Sequence, residues 1–172
     1  YLCEAANRKV DAVKRICIKE LPNTLILHLK RFEFDLDFMK KVKVNDCCEF
    51  PLTLEMDPYT IQGIERREKM EGDDESLYDL VGVLVHTGTA DSGHYYSYIK
   101  ERKPVSLDGD NDSAKWYLFN DTNVELFDEK DIGPACYGGS ECIQQLDPMD
   151  SSRSHTKLVS RTYSAYMLFY EK

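Results

Sequence analysis

YDLVGVLVHTGTADSGHYYSYIK (Tyr78–Lys100) reads as two β-strands joined by a loop. Tyr78–His86 and His94–Lys100 are rich in Val, Leu, Tyr and Ile, residues that suit a pleated, half-buried surface. Thr87–Gly93 between them carries two glycines, an Asp and a Ser. A third strand, Lys115–Phe119, ends at the turn Asn120-Asp121-Thr122-Asn123. Pairing the second and third strands antiparallel, with Glu101–Ser113 as their connection, puts Lys100 near Ala114 and His94 opposite Asn120. Residues so opposed have Cβ atoms about 5 Å apart on one face. A histidine there has a side-chain carbonyl within reach to fix its tautomer.

An imidazole oriented through one nitrogen keeps the other free to deprotonate a nucleophile. The same residues also have a purely structural reading, in which Asn120 opens a turn and His94 merely starts a strand. Spacing leaves both readings open. Gly93, directly before His94, permits the tight backbone entry that exposes a ring.

The chain of 172 residues has room for one domain with a substantial core, and too little for two ordinary ones. Apolar residues make up 42%, which excludes disorder throughout. No apolar run is long enough to span a bilayer, so no membrane partner is expected. The net charge of −9, from 31 acidic and 22 basic residues, argues against a nucleic-acid partner. The chain opens in mid-pattern at Tyr1-Leu2-Cys3, as expected of a piece of a larger protein.

Outward from the opening stretch, Thr24–Phe34 alternates, with Leu25, Leu27 and Leu29 on one face. Lys9–Lys19 and Val42–Phe50 show weaker alternation, and Thr162–Glu171 is an aromatic strand suited to close a sheet. Asp35–Lys41 reads as a charged loop. Residues 63–76 and 104–113 read as polar insertions, and 131–158 as a surface excursion. The sum is seven or eight strands with little helix.

Six cysteines, at 3, 17, 47, 48, 136 and 142, are scattered, without the density of a disulfide scaffold. Reduced thiols place the chain in the cytoplasm, the nucleus or both. Cys136, in Ala-Cys-Tyr-Gly-Gly, is the candidate nucleophile within the chain, since nearby glycines could donate to an oxyanion. Its bland reading is a core or loop thiol, by far the commoner role. Cys3 opens what would be a C-x-x-C knuckle, but position 6 is Ala, and a tetrahedral zinc site needs four ligands. The histidines at 28, 86, 94 and 155 share no helical metal spacing. No metal is expected.

Three blocks carry a resemblance to a known family. Leu21-Pro22, with Leu25, Leu29, Lys30, Arg31 and Phe32, is similar to L-P-x-x-L-x-x-x-L-K-R-F. Tyr78–Ile99 is similar to Y-x-L-x-G-V-x-V-H-x-G-x-x-x-x-G-H-Y-x-S. Trp116–Val124 and the ending Ala165–Tyr170 are similar to W-Y-x-F-N-D-x-x-V and A-Y-x-L-F-Y. In order and spacing these resemble the ubiquitin-specific proteases, papain-like deubiquitinating cysteine peptidases, and most of all their very large fat-facets-type members.

The resemblance implies a β-dominated α+β fold with an antiparallel sheet, the C-terminal half of one catalytic domain. Fingers and palm strands would occupy 1–60, a charged insertion 63–76, and the palm with its histidine box 77–172. It makes His94 the general base, Asn120 its orienting partner and Asp121 an adjacent polar residue that organises the site or polarises the oxyanion. Gly93 and Tyr95 would line a narrow channel for ubiquitin's Gly-Gly tail, with His86 and Phe32 flanking it. Asp35–Lys41 and Thr87–Gly93 look like loops that move when ubiquitin binds. The nucleophilic cysteine would lie upstream of Tyr1. Implied partners are ubiquitin and the N-terminal half of the same catalytic domain. No cofactor is implied for this chain, whose zinc knuckle is incomplete at Cys3 and Ala6. The rival readings are an inert ubiquitin-binding module and a self-sufficient hydrolase using Cys136.

Overall fold

The computed structural model describes residues 1–69, 76–102, 114–147 and 150–172. The whole of the insertion at 104–113 and residues 70–75 of the other insertion lie outside the described residues. The described chain forms two compact units, residues 1–22 with 55–77, and residues 23–54 with 78–172.

In the first unit, β1 (Leu2–Cys3) and β2 (Arg8–Lys9) pair antiparallel around a tight turn. The alternation over Lys9–Lys19 does not become a strand. Val13 and Ile16 are 91% and 99% exposed, and beyond Lys9, which ends β2, the stretch makes one isolated bridge among the described residues, from Ile18 to Thr60. Alternation makes a strand only where a neighbouring edge is there to pair with it. The charged stretch expected to be an insertion begins as a helix, α1 (Ile61–Lys69). Thr60 Oγ1 accepts from Gly63 N at 2.9 Å, a bond that satisfies one of the helix's first free N–H groups. The buried Asp57 carboxylate pairs with Arg66 on the helix.

The second unit contains β3 (Thr24–His28), β4 (Phe32–Asp35), β5 (Lys40–Lys43), β6 (Thr53–Glu55), β7 (Leu77–Gly88), β8 (Gly93–Lys100), β9 (Trp116–Asn120) and β10 (Asn123–Phe127). The short helix α2 (Ile132–Cys136) follows, then β11 (Ser140–Asp147), β12 (Asp150–Ser160) and β13 (Tyr163–Glu171). The main sheet has the order β10-β9-β8-β7-β13-β3, with β6 also pairing β7. Its core face buries Tyr78, Leu80, Val83, Val85, Tyr98, Trp116, Leu168 and Tyr170, closed by Ile132 and Cys136 of α2.

The expected loop at Asp35–Lys41 is a turn over 36–39 with its ends paired, and two other expectations need correction. It is the tip of the β4–β5 hairpin, turned where Asp35 Oδ1 accepts from Asp37 N and Phe38 N, both at 3.0 Å. Thr24–Phe34 is not one strand, because the chain breaks after His28 and buries Arg31. Residues 131–158 hold α2 and most of the β11–β12 hairpin, whose polar faces carry no apolar alternation to reveal it.

Two bulges matter for the site. In the β7–β13 pairing, Val81 and Tyr166 are each an extra residue on their strand. The first switches the buried set of β7 from Tyr78 and Leu80 to Val83 and Val85. The second re-aims Tyr166, as bulges near functional sites do.

Candidate active site

His94 is the second residue of β8 and Asn120 the last of β9. The observed register pairs Ser97 with Phe119 and Lys100 with Trp116. It is slipped by two residues from the expected pairing of Lys100 with Ala114, so Asn120 is a diagonal neighbour of His94, not its direct opposite. A two-residue slip keeps every side chain on its face. Contact therefore survives: His94 Nε2 lies 2.6 Å from Asn120 Oδ1.

A carboxamide oxygen can only accept, so Nε2 carries the hydrogen and donates it. The Nδ1 lone pair is left free, which is the tautomer a base needs. The ring is 43% exposed and stacks at 6.4 Å on Tyr96. Asp121 Oδ2 stands 3.8 Å from the same Nε2. Its backbone is left-handed, with φ of 52°, at the two-residue turn joining β9 to β10. Asp tolerates that conformation better than most residues.

Beside His94 runs a groove of about 430 Å³ lined by Phe32, Lys41, His86, Thr89–Gly93, Tyr95 and Tyr166. The expected tail contacts Phe32, His86, Gly93 and Tyr95 all meet here. The His86 ring lies 5.1 Å from Phe32 and 4.7 Å from Tyr95, and Tyr166 lies 5.6 Å from both Phe32 and Tyr95. Gly93 has no room for a side chain: an added Cβ would stand 2.2 Å from His86 Nε2 and 2.4 Å from Thr87 O. Opposite it, Gly88 has φ of +117°, which only glycine adopts readily. The loop Thr89–Ser92 closes on itself through Thr89 N donating to Ser92 O at 2.8 Å.

Burial, helped by the Lys43 ammonium, lowers the pKa of His86, so its ring is held neutral. Sequence reasoning missed three residues here. Arg31 is 4% exposed and donates from Nε to Ala165 O at 3.1 Å and from Nη1 to Asp46 O at 2.6 Å, gathering three segments of chain. Lys43 donates to two more carbonyls, and Tyr166 completes the aromatic wall. Arg31 and Tyr166 stood within the motif blocks. The available signal for Arg31 was its place in the Leu29-Lys30-Arg31-Phe32 block. The bulge that turns Tyr166 inward leaves none.

Cys136 is fully buried, and burial pushes its thiol up to about 12, so no thiolate forms near neutral pH. Among the described residues no cysteine sulfur hydrogen-bonds to His94. The β1–β2 turn has knuckle-like form, with Ala6 N donating to Cys3 O at 3.2 Å, but supplies one cysteine. Among the described residues no three His, Cys, Asp or Glu side chains gather to hold a metal. The residues present do not fit a tetrahedral zinc.

The family described as "Ubiquitin carboxyl-terminal hydrolase" matches residues 2–170. This chain belongs to that family. It is 40% identical over 183 residues to human ubiquitin carboxyl-terminal hydrolase 34 and 38% identical over 195 residues to mouse ubiquitin carboxyl-terminal hydrolase 9X. It is 35% identical over 187 residues to the probable ubiquitin carboxyl-terminal hydrolase FAF of Drosophila melanogaster. Each match covers the whole of this chain but only 5–7% of the relative. Among solved structures, the SAGA Ubp8/Sgf11/Sus1/Sgf73 DUB module bound to ubiquitin aldehyde contains a chain with TM-score 0.64 and 27% identity. That match covers 99% of this chain and 29% of the other. The antiparallel, strand-rich unit thus has the papain-like architecture of the family's ubiquitin-specific type.

Proposed function

We propose that this chain supplies the general base and its orienting partner to a thiol-dependent deubiquitinase, which cleaves the bond after ubiquitin's C-terminal glycine. The observation that carries the reading is the 2.6 Å contact between His94 Nε2 and Asn120 Oδ1, which leaves Nδ1 ready to take a proton. Kinship with ubiquitin hydrolases, and likeness to a module bound to ubiquitin aldehyde, support ubiquitin as the substrate.

The nucleophile is a cysteine outside these 172 residues, contributed by the other half of the catalytic domain. His94 takes the thiol proton, and the thiolate attacks the glycine carbonyl. The imidazolium then returns the proton to the departing amine, leaving a thioester. Water, deprotonated by the same ring, releases ubiquitin's carboxylate and regenerates the thiol. Asp121 supports the pair from the same nitrogen. The groove past Phe32, His86, Gly93 and Tyr95 takes the tail and rejects side chains sterically.

The test is a ubiquitin probe with a C-terminal electrophile, added to the complete protein. One cysteine outside residues 1–172 should be labelled, and His94→Ala should slow labelling about 100-fold or more. Ubiquitin binding without any labelling would favour the other reading, an inert ubiquitin-binding module. Labelling at Cys136 would establish the self-sufficient hydrolase instead.

A further inference from the structure

Lys43 ends β5, opposite Phe32 in the β4–β5 pair. Its Nζ donates to His86 O at 2.8 Å and to Thr162 O at 2.6 Å. Thr162 O also accepts from Gly88 N at 3.0 Å. One cation thus ties the hairpin base to the end of β7 and to the residue preceding β13. Beyond His86, Thr87 pairs with His94 and Gly88 with Gly93. The clamp therefore acts where β7 turns back to begin the strand that carries the base.

This placement is costly. Burial and the neighbouring Arg31 guanidinium push the Lys43 pKa down to about 8. Among the described residues no carboxylate accepts from its Nζ, and two neutral carbonyls take its N–H groups where the half-buried side chain leaves water in part. An apolar side chain of the same length would fill the space without desolvating a charge. Packing alone does not account for a lysine here.

We propose that Lys43 is a positioning residue for His94, fixing where β7 ends so that His94 enters β8 at the height of Asn120. The ammonium touches neither the ring nor the groove floor's reacting end; it acts through the two carbonyls it holds. The inference rests on the reading of His94 as the base. It adds a residue that the His94–Asn120 pair by itself does not predict.

The experiment uses the complete protein, with ubiquitin carrying a C-terminal fluorogenic amide as substrate. Lys43→Met should lower kcat about tenfold to 100-fold, the scale set by a displacement near 1 Å at a reacting group. KM should stay within about threefold, because the ring sets the chemistry rather than the hold on ubiquitin. Lys43→Arg, which keeps charge and reach, should recover most of the lost kcat. Should Lys43→Met fail to fold, Lys43→Gln gives the same reading, since its neutral amide is one atom shorter and cannot hold both carbonyls.

A folded Met or Gln variant with kcat within twofold of wild type overturns the proposal. So does a variant whose loss lies wholly in KM, or one that Arg does not rescue. Wild-type protein that the electrophilic ubiquitin probe fails to label brings down the underlying reading, and this one with it. Normal labelling of wild type beside an unaffected Lys43→Met sinks the Lys43 claim alone.

Discussion

Gly93→Ala tests the groove and the base together. The new Cβ would stand 2.2 Å from His86 Nε2, 2.7 Å from His86 Cε1 and 2.4 Å from Thr87 O. Carbon contacts settle at about 3.5–4.0 Å, so something must give by about 1 Å or more. The ring has little freedom, being 4% exposed and packed against Phe32 and Tyr95. Thr87 O belongs to the residue paired with His94, so yielding on that side moves the base itself. Overpacking of this kind costs about 1–3 kcal/mol, which a domain stable by roughly 5–15 kcal/mol survives. A shift near 1 Å beside the reacting group costs about 100-fold in rate. The complete protein carrying Gly93→Ala should therefore remain folded, lower in Tm by roughly 2–12 °C, with kcat/KM for a fluorogenic ubiquitin amide down about 100-fold. A variant within twofold of wild type would show that His86 and Thr87 relax freely, and the steric account of the groove would be wrong.

Other outcomes follow from the same contacts. Asn120→Ala removes the acceptor of Nε2 and should lower kcat at least tenfold with KM nearly unchanged; an unaltered kcat in steady-state assays would leave the pair without a catalytic role. Arg31→Ala strands the buried carbonyl of Ala165, worth about 1–3 kcal/mol when unpaired, and frees the part-buried one of Asp46, so thermal melting should fall by roughly 2 °C or more. Cys136 should resist iodoacetamide at pH 8 while exposed Cys47 and Cys142 react, as read by mass spectrometry.

The alkaline limb of stability has a definite sign. Cys136 rises from its ordinary 9.0 to about 12, and half-buried Tyr96 and buried Tyr170 from 10.0 to about 12. These groups stay protonated in the folded chain while the unfolded chain loses its protons. Their stabilisation is full below pH 9 and is lost as the pH climbs through about 12. Lys43, lowered from 10.5 to about 8, pulls the other way between those values but is one group against three. Denaturant melts between pH 10 and 12 should show falling stability, and Cys136→Ala should make that fall shallower. Stability that rose over this range would contradict the burial of these groups.

Much of this molecule is written locally. The alternation around Tyr78–Lys100, the glycines of Thr87–Gly93 and the turn after Asn120 are short-range patterns, legible because neighbouring residues alone set strand faces and turn geometry. That is why the companionship of His94 and Asn120 could be read before any coordinates, even with the register two residues out. The same local logic failed at Lys9–Lys19, where alternation found no edge to pair with, and at β11–β12, whose polar strands pair without alternation.

Other features depend on partners distant along the chain. Whether Val81 and Tyr166 bulge is decided by β7 and β13 meeting, not by either strand alone. Arg31 is buried because carbonyls from Asp46 and Ala165 converge on it. Lys43 reaches His86 and Thr162 only once the hairpin folds back on the sheet. Residue order carries periodicity and turn chemistry, but long-range hydrogen bonds and packing exist only when the strands have assembled, and they decide which charge goes inside and which ring faces the groove.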